Sequence, residues 1–297
     1  MASLASVDTL VRPLRDEDVV AVDELSWQAL AEVGEQFGFS MGERSEARIA
    51  WARARIRHIA THDPDGSVVA EQDGEVVGVG LATRRERLWF LSLLAVRSGL
   101  QGGGVGRRLL DATLEYGQGC ESAMICASPD PKALRRYGRA GFALHAAYEA
   151  EGIVDHAELP AGLGVREGDW QRDRDLLEEL ITARRGAPYG PDLDFQQEGM
   201  RLLIRDGSSP TDRAFALSRD GHVGTLAAAS DEAAARVLWA TIAEVPGEVT
   251  FGYLTGNQQW AIDVALAARL PLKLTDTLCT RGAISPPDSY LPSGIFG

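Results

Sequence analysis

The chain has 297 residues, 45% hydrophobic and 25% charged, the balance of a globular protein with one large domain or two ordinary ones. Its 43 acidic against 30 basic side chains give a net charge of −13, which argues against a nucleic-acid partner gripped through its phosphates. No run approaches the roughly 18 apolar residues of a membrane helix, and the opening MASLASVDTLVRP lacks the basic-then-apolar order of a secretory signal, so a cytoplasmic location is expected, with no membrane partner.

In chain order, Val11–Leu25 reads as a short strand, an N-cap at Asp16 or Asp18, and an amphipathic helix. Trp27 and Trp51 fall on the two helices after that strand, where they either line a substrate pocket or pack in the core. The second helix carries Arg53, Arg55 and Arg57, which makes the His58/His62 pair a poor cation site. Ser67–Thr83 reads as a hairpin turning at Asp73-Gly74. Leu88–Val96, LWFLSLLAV, is nearly continuous apolar, as a strand covered on both faces should be. A glycine-rich loop follows, then a helix over Arg107–Tyr116, a strand over Ser122–Ser128 and a helix through Ala133–Phe142. The three cysteines cannot make a disulfide framework; they read as buried thiols in a reducing compartment, without metal.

The pattern then recurs. Val165–Leu180 repeats the first strand and helix, displaced by 154 residues, and Asp220-Gly221 repeats the hairpin turn, displaced by 147. RVLWATI at Arg236–Ile242 repeats RLLDATL at Arg108–Leu114, displaced by 128, as does the helix from Ala261 to Leu270. The change from 147 to 128 places a 19-residue loss between hairpin and helix, so the second copy is expected to lack the apolar strand and the glycine loop. Ser230–Ala235, SDEAAA, is expected to connect its elements instead. Glu158–Gly164, with Gly and Pro, is the natural boundary.

The loop Gln101-Gly102-Gly103-Gly104-Val105-Gly106 lies between a buried strand and a helix, a ready anion site: glycines let backbone N–H groups approach phosphate oxygens at the positive end of the helix dipole. Arg107 and Arg108 stand in the first helical turn, where acids are usual. The loop has no G-K-[ST] ending, which excludes a P-loop, and its place in the element order does not suit a dinucleotide fold.

Gln101-x-x-Gly104-x-Gly106 resembles motif A of the GNAT superfamily of N-acetyltransferases, and Ala133 to Phe142 is similar to the family's A-x-x-x-Y-x-x-x-G-F helix. The resemblance covers roughly residues 8–150. It implies an α/β fold with a mixed sheet and two GNAT-like domains in tandem, residues 1–157 complete and 163–297 truncated. It further implies that the main chain of Leu94, Ala95 and Val96 pairs with the pantetheine arm of acetyl-CoA. Gln101, Gly102, Gly103, Gly104, Val105, Gly106 and Arg107 would then hold the pyrophosphate, and Tyr137 would protonate the leaving thiolate. Asp130 stands where the family often has Asn; it can cap the helix but cannot donate to the cofactor as Asn does.

Acetyl transfer needs a neutral amine, and hence a base. The strand at Leu88–Val96 offers Ser92 but no carboxylate; Glu32 and Glu35 are candidates by position, as are a water relay and an amine that arrives deprotonated. In the second copy Tyr137 maps onto Ala265, and Asp231 and Glu232 stand where an anion loop would be, so that half is expected to bind no acetyl-CoA. The expectation is an acetyl-CoA-dependent N-acetyltransferase, monomeric or homodimeric, acting on a primary amine of a small molecule, with a protein N-terminus or lysine as the other acceptor left open. The alternative is a non-catalytic acyl-CoA-binding sensor or interaction protein.

Overall fold

Packing divides the chain in a place its repeats do not mark. The computed structural model describes residues 9–38 and 42–297, which form two compact units. One holds the chain through Arg84 together with Trp89–Cys120; the other holds Arg85–Leu88 and Glu121–Gly297. The expected boundary near 158–164 lies inside the second unit, and the N-terminal leader reading falls mostly on residues 1–8, outside the described residues.

The first unit runs β1 (Leu10–Pro13), α1 (Val19–Phe37), α2 (Glu46–His62), β2 (Ser67–Gln72), β3 (Glu75–Arg85), β4 (Leu88–Val96) and α3 (Val105–Tyr116). Asp73 (φ 51°) and Gly74 (φ 81°) make the β2–β3 turn, as the Asp-Gly signal predicts. Arg12 on β1 grips Asp18 with two guanidinium bonds (2.7 and 2.9 Å) and Glu71 on β2 with a third (2.7 Å). Asp18 thus precedes α1 without capping it; its carboxylate accepts instead from the Arg15 amide at 2.8 Å. Helix α3 lies close on β3 because Gly78 and Gly80 have no side chains: a Cβ there would come within 2.8 Å of Leu109 and 2.9 Å of Thr113.

The second unit contains β5 (Ser122–Ala127), α4 (Pro131–Arg139), β6 (Ala143–Ile153), β7 (Arg166–Glu167), α5 (Arg174–Arg185), α6 (Pro191–Gln197) and β8 (Arg201–Arg205). It continues through β9 (Ala214–Arg219), β10 (His222–Ala228), α7 (Asp231–Ala243), β11 (Glu248–Leu254), α8 (Gln259–Ala267), β12 (Leu272–Gly282) and β13 (Tyr290–Leu291). Its sheet runs β5-β12-β6-β11-β10-β9-β8-β7, with β13 beside β10. The β10–β11 pair is parallel and the pairs flanking it are antiparallel, so the sheet is mixed, as expected. The core beneath it gathers Trp239, Phe251 and Trp260 with the buried face of α7.

The order β7-α5-α6-β8-β9-β10-α7-β11-α8-β12 matches β1-α1-α2-β2-β3-β4-α3-β5-α4-β6 element for element. This corrects the truncation read from the sequence. No strand is missing: β8, RLLIR, is the counterpart of β2, and β10 is the counterpart of β4. The two Asp-Gly turns sit in different hairpins, so aligning them skipped a strand; the β3–β4 turn carries Glu86 (φ 49°) where the β9–β10 turn carries Asp220 (φ 50°). Charge pairing agrees with the structural alignment, because Arg166 on β7 bonds Asp173 before α5 (2.8 and 2.8 Å) and Asp206 just after β8. Ser230–Ala235 is likewise no loop: Ser230 Oγ accepts from the Ala233 amide (3.3 Å) and α7 starts at Asp231.

Strand β12 lies between β5 and β6, pairing Thr277 with Ala127 on one side and with Ala146 on the other. Strand β6 in turn lies between β12 and β11, pairing Phe251 with Ala150. Each half of the chain therefore supplies a long strand to the other. We predict that residues 1–157 and 163–297 expressed separately are aggregated or unfolded, because each then exposes an unpaired inner strand. Co-expression of the two pieces is expected to restore a folded complex, read by size exclusion and circular dichroism.

Candidate active site

The glycine loop in the first unit is shaped by its own backbone. Strand β4 is buried except at Ser92 and Leu94, which are half-buried; Ala95 and Val96 are buried. After it, Gly99, Gly102 and Gly104 take φ of 84°, 96° and 88°, left-handed conformations costly for other residues. A Cβ at any of these three would meet nothing within 4 Å, so conformation and not crowding selects glycine there, and the loop has an open face. Gly104 is the N-cap of α3 and brings no side chain to it; the first turn holds no acid. The amides of Val105 and Gly106 stand ahead of the first intrahelical bond, with Arg107 and Arg108 bonding back to the Gly104 carbonyl at 3.1 Å. The uncapped start of α3 is thus a cluster of donors at the positive end of a helix dipole, suited to a phosphate or pyrophosphate group. Both arginines are exposed, and Arg108 donates to the main-chain oxygen of Thr9.

Glu32 accepts from Ser98 Oγ, which ties α1 to the segment after β4; Glu35 is exposed. Ser92 Oγ is buried without a hydrogen-bond partner.

In the second unit, Asp130 caps α4, accepting from the Lys132 amide at 2.9 Å, as its position suggested. Tyr137, on the same helix, is buried and meets Phe142 edge to face at 6.4 Å. Burial drives its phenol pKa well above the ordinary value, so it remains protonated at neutral pH.

Sequence reasoning missed a carboxylate pair. Register breaks interrupt β12 between Lys273 and Asp276 and β11 between Phe251 and Leu254. At the β11 break Tyr253 takes φ 59°, and its amide donates to Asp276 Oδ2 at 3.1 Å. A Cβ on Gly252 would lie 2.7 Å from that oxygen and 3.8 Å from Glu149 Oε2, so both carboxyl groups face one spot. Burial, with the Glu149 charge adding to it, pushes Asp276 up to about 7; burial and Glu151 raise Glu149. The half-buried Cys126 on β5 feels burial first and Asp276 next, both raising its thiol pKa. No spacing rule marks Asp276, since the bulges that gather these groups depend on strands distant in sequence.

The place in the second unit that corresponds to the glycine loop is built differently. Two residues after the end of β10, Ser230 caps α7, and Asp231 and Glu232 fill its first turn. Strand β13 pairs with Leu226 and Ala227 of β10, and the Ala228 amide donates to the Ser289 carbonyl at 3.0 Å. These are the counterparts of Leu94–Val96, so the chain itself covers this stretch. Among the described residues no group of three or more His, Cys, Asp or Glu side chains is placed to hold a metal ion, and no helix is long and apolar enough to cross a membrane.

Residues 27–142 match the sequence profile of the acetyltransferase (GNAT) family. Mycothiol acetyltransferases of Streptomyces coelicolor and Streptomyces avermitilis are each 39% identical over 88 residues. That match takes in 28% of this chain and spans 28% and 29% of those relatives' lengths. The fold resembles a structure from Pyrococcus horikoshii assigned as an acetyltransferase, with a TM-score of 0.75 at 16% identity over 97% of this chain and 96% of that one. It also resembles a GCN5-related N-acetyltransferase from Sphaerobacter thermophilus, with a TM-score of 0.58 at 15% identity over 94% and 97% of the two chains. Arg107→Glu replaces an exposed cation with an acid in the first turn of α3 and is expected to weaken binding of coenzyme A about tenfold or more, with the melting profile largely kept. Unchanged affinity in calorimetry would remove the loop from the binding site.

Proposed function

We propose that the chain transfers the acetyl group of acetyl-CoA to a primary amine by direct attack in a ternary complex, with acetyl-CoA held by residues 1–157. The observation behind this reading is the open, uncapped start of α3, whose amides and dipole suit a pyrophosphate. The family match over residues 27–142 and the relatives named mycothiol acetyltransferase support acetyl transfer. Acetyl-CoA supplies the activated carbonyl when bound. The main chain at Leu94, Ala95 and Val96 pairs with the pantetheine arm, Gln101–Arg107 takes the pyrophosphate, and Asp130 holds the start of α4, the helix that carries Tyr137.

Tyr137 donates its phenolic proton to the departing sulfur, a role suited to a buried phenol that stays neutral. The base in this reading is Asp276, which reaches the neighbourhood of β5 on the strand supplied by the C-terminal half. Its carboxylate takes the proton that the amine loses as nitrogen bonds to the acetyl carbon and the carbon–sulfur bond breaks. Residues 163–297, a duplicated half that holds no acetyl-CoA, serve as scaffold and as the source of this group.

Below about pH 7 Asp276 is protonated and cannot act as a base, so kcat/KM is expected to rise with pH through about 7 and then level. Asp276→Asn should remove that limb and lower the rate about 100-fold; a wild-type pH profile in this variant would exclude the assignment. Tyr137→Phe is expected to lower kcat about 100-fold while coenzyme A affinity holds, measured by thiol release with a panel of amines. Binding without thiol release on any amine would instead leave a non-catalytic acyl-CoA-binding protein.

A further inference from the structure

A pocket of about 100 Å³ opens between α1 and α2 in the first unit. Its walls carry three guanidinium groups, Arg44, Arg48 and Arg55, against a single carboxylate, Asp23. That carboxylate is already engaged: Arg44 Nη2 and Arg53 Nε each donate to Asp23 Oδ2 at 3.0 Å. The remaining arginine of this helix segment, Arg57, reaches Asp16 at 2.7 Å and is not part of the pocket wall. Arg48 and Arg55 are left over.

Arg55 Nε is buried and has no hydrogen-bond partner. Burial lowers its pKa to about 10, and the Asp23 charge offsets this only in part. Burial also lowers Arg48. Arg48 is exposed and Arg55 half-buried, and a guanidinium partly withdrawn from water with no carboxylate bonded to it is costly. Tryptophan faces orient these groups: Arg44 and Arg48 lie 5.3 and 5.0 Å from the Trp27 ring centroid, and Arg55 lies 5.7 Å from that of Trp51. The two rings therefore act as props for the cations, a role beyond core packing. In a chain of net charge −13, this is a local concentration of positive charge.

We propose that the α1–α2 pocket binds the anionic group of a small organic molecule, with Arg48 and Arg55 on the oxyanion and Trp27 and Trp51 against its apolar body. Guanidinium forks match carboxylate and phosphate oxygens in pairs, and the pocket has room for such a group with a few carbons. Resting on the acetyl-transfer reading, the occupant is the acceptor, which then carries an acid group as well as its amine, as an amino acid or an amino sugar phosphate does.

Calorimetric titration of the full chain with phenylacetate, phenyl phosphate and benzylamine, in low salt and without acetyl-CoA, tests the site apart from the reaction. Saturable binding of one or both anions is expected, the tighter of the two identifying the oxyanion, with benzylamine at least about tenfold weaker. Arg55→Met should weaken anion binding about tenfold or more while the melting temperature stays or rises, since a half-buried guanidinium with an unpartnered Nε is replaced by an apolar chain. Arg48→Met provides a second reading in case Arg55→Met fails to fold. The site is overturned if neither anion binds the wild type, if benzylamine binds as tightly, or if both variants keep wild-type affinity. Coenzyme A binding measured on the same samples reports on the acetyl-transfer reading separately.

Discussion

The pairing of β12 between β5 and β6 constrains everything else in the second unit. A strand enclosed on both sides satisfies its main-chain donors and acceptors only if both neighbours are present, and here the neighbours come from the other half of the sequence. The same holds for β6, enclosed by β12 and β11. Autonomy of the halves is therefore lost in exchange for a sheet without a break at their junction. The bulges in β11 and β12 occur within this interleaved region, and they are what turns Asp276 and Glu149 toward one another. A carboxylate contributed by the C-terminal half thus comes to lie near Cys126 on β5 through backbone pairing alone.

Corresponding places in the two halves show how a few residues decide what a helix start can do. At α3 the cap is Gly104 in a left-handed conformation, and no acid follows; at α7 it is Ser230, whose hydroxyl occupies a first-turn amide, and two acids follow. The first start leaves its donors and dipole for a ligand. The second has satisfied both with its own side chains. Strand β13 then pairs with the end of β10, where the resemblance would place a pantetheine arm on β4. The two helix starts differ in this way although the order of elements around them is the same.

Much of this was legible in the sequence. Both Asp-Gly turns, the buried strand Leu88–Val96, the glycine loop before α3 and the Asp130 cap depend on local chemistry, and local chemistry is what a sequence displays. The second half was misaligned because two chemically similar turns occupy different hairpins, and β8 is short with arginine at both ends. The strand exchange left no local sign at all, since β6 and β12 would show the same alternation whichever partners they took. Asp276 was hidden for the same reason. Its environment is made by Tyr253, Glu149 and Cys126, each on a different strand.

Arginine use separates structure from binding in the first unit. Arg12 closes β1 onto Asp18 and Glu71, and Arg166 repeats the arrangement with Asp173 and Asp206 in the second half. In both, the arginine holds its acidic partner before the helix below the usual carboxylate range, so this stabilisation is present at neutral pH and is lost only as pH falls into and below that range. These pairs recur because the fold needs them. Arg48 and Arg55 have no such partner and no counterpart network; they stand on tryptophan faces around a cavity. The fold itself gains little from the half-buried Arg55 guanidinium, since an apolar side chain of similar length would fill the place without leaving Nε unpartnered. What an unpaired guanidinium does offer is a strong, oriented attraction for an anion that arrives from outside.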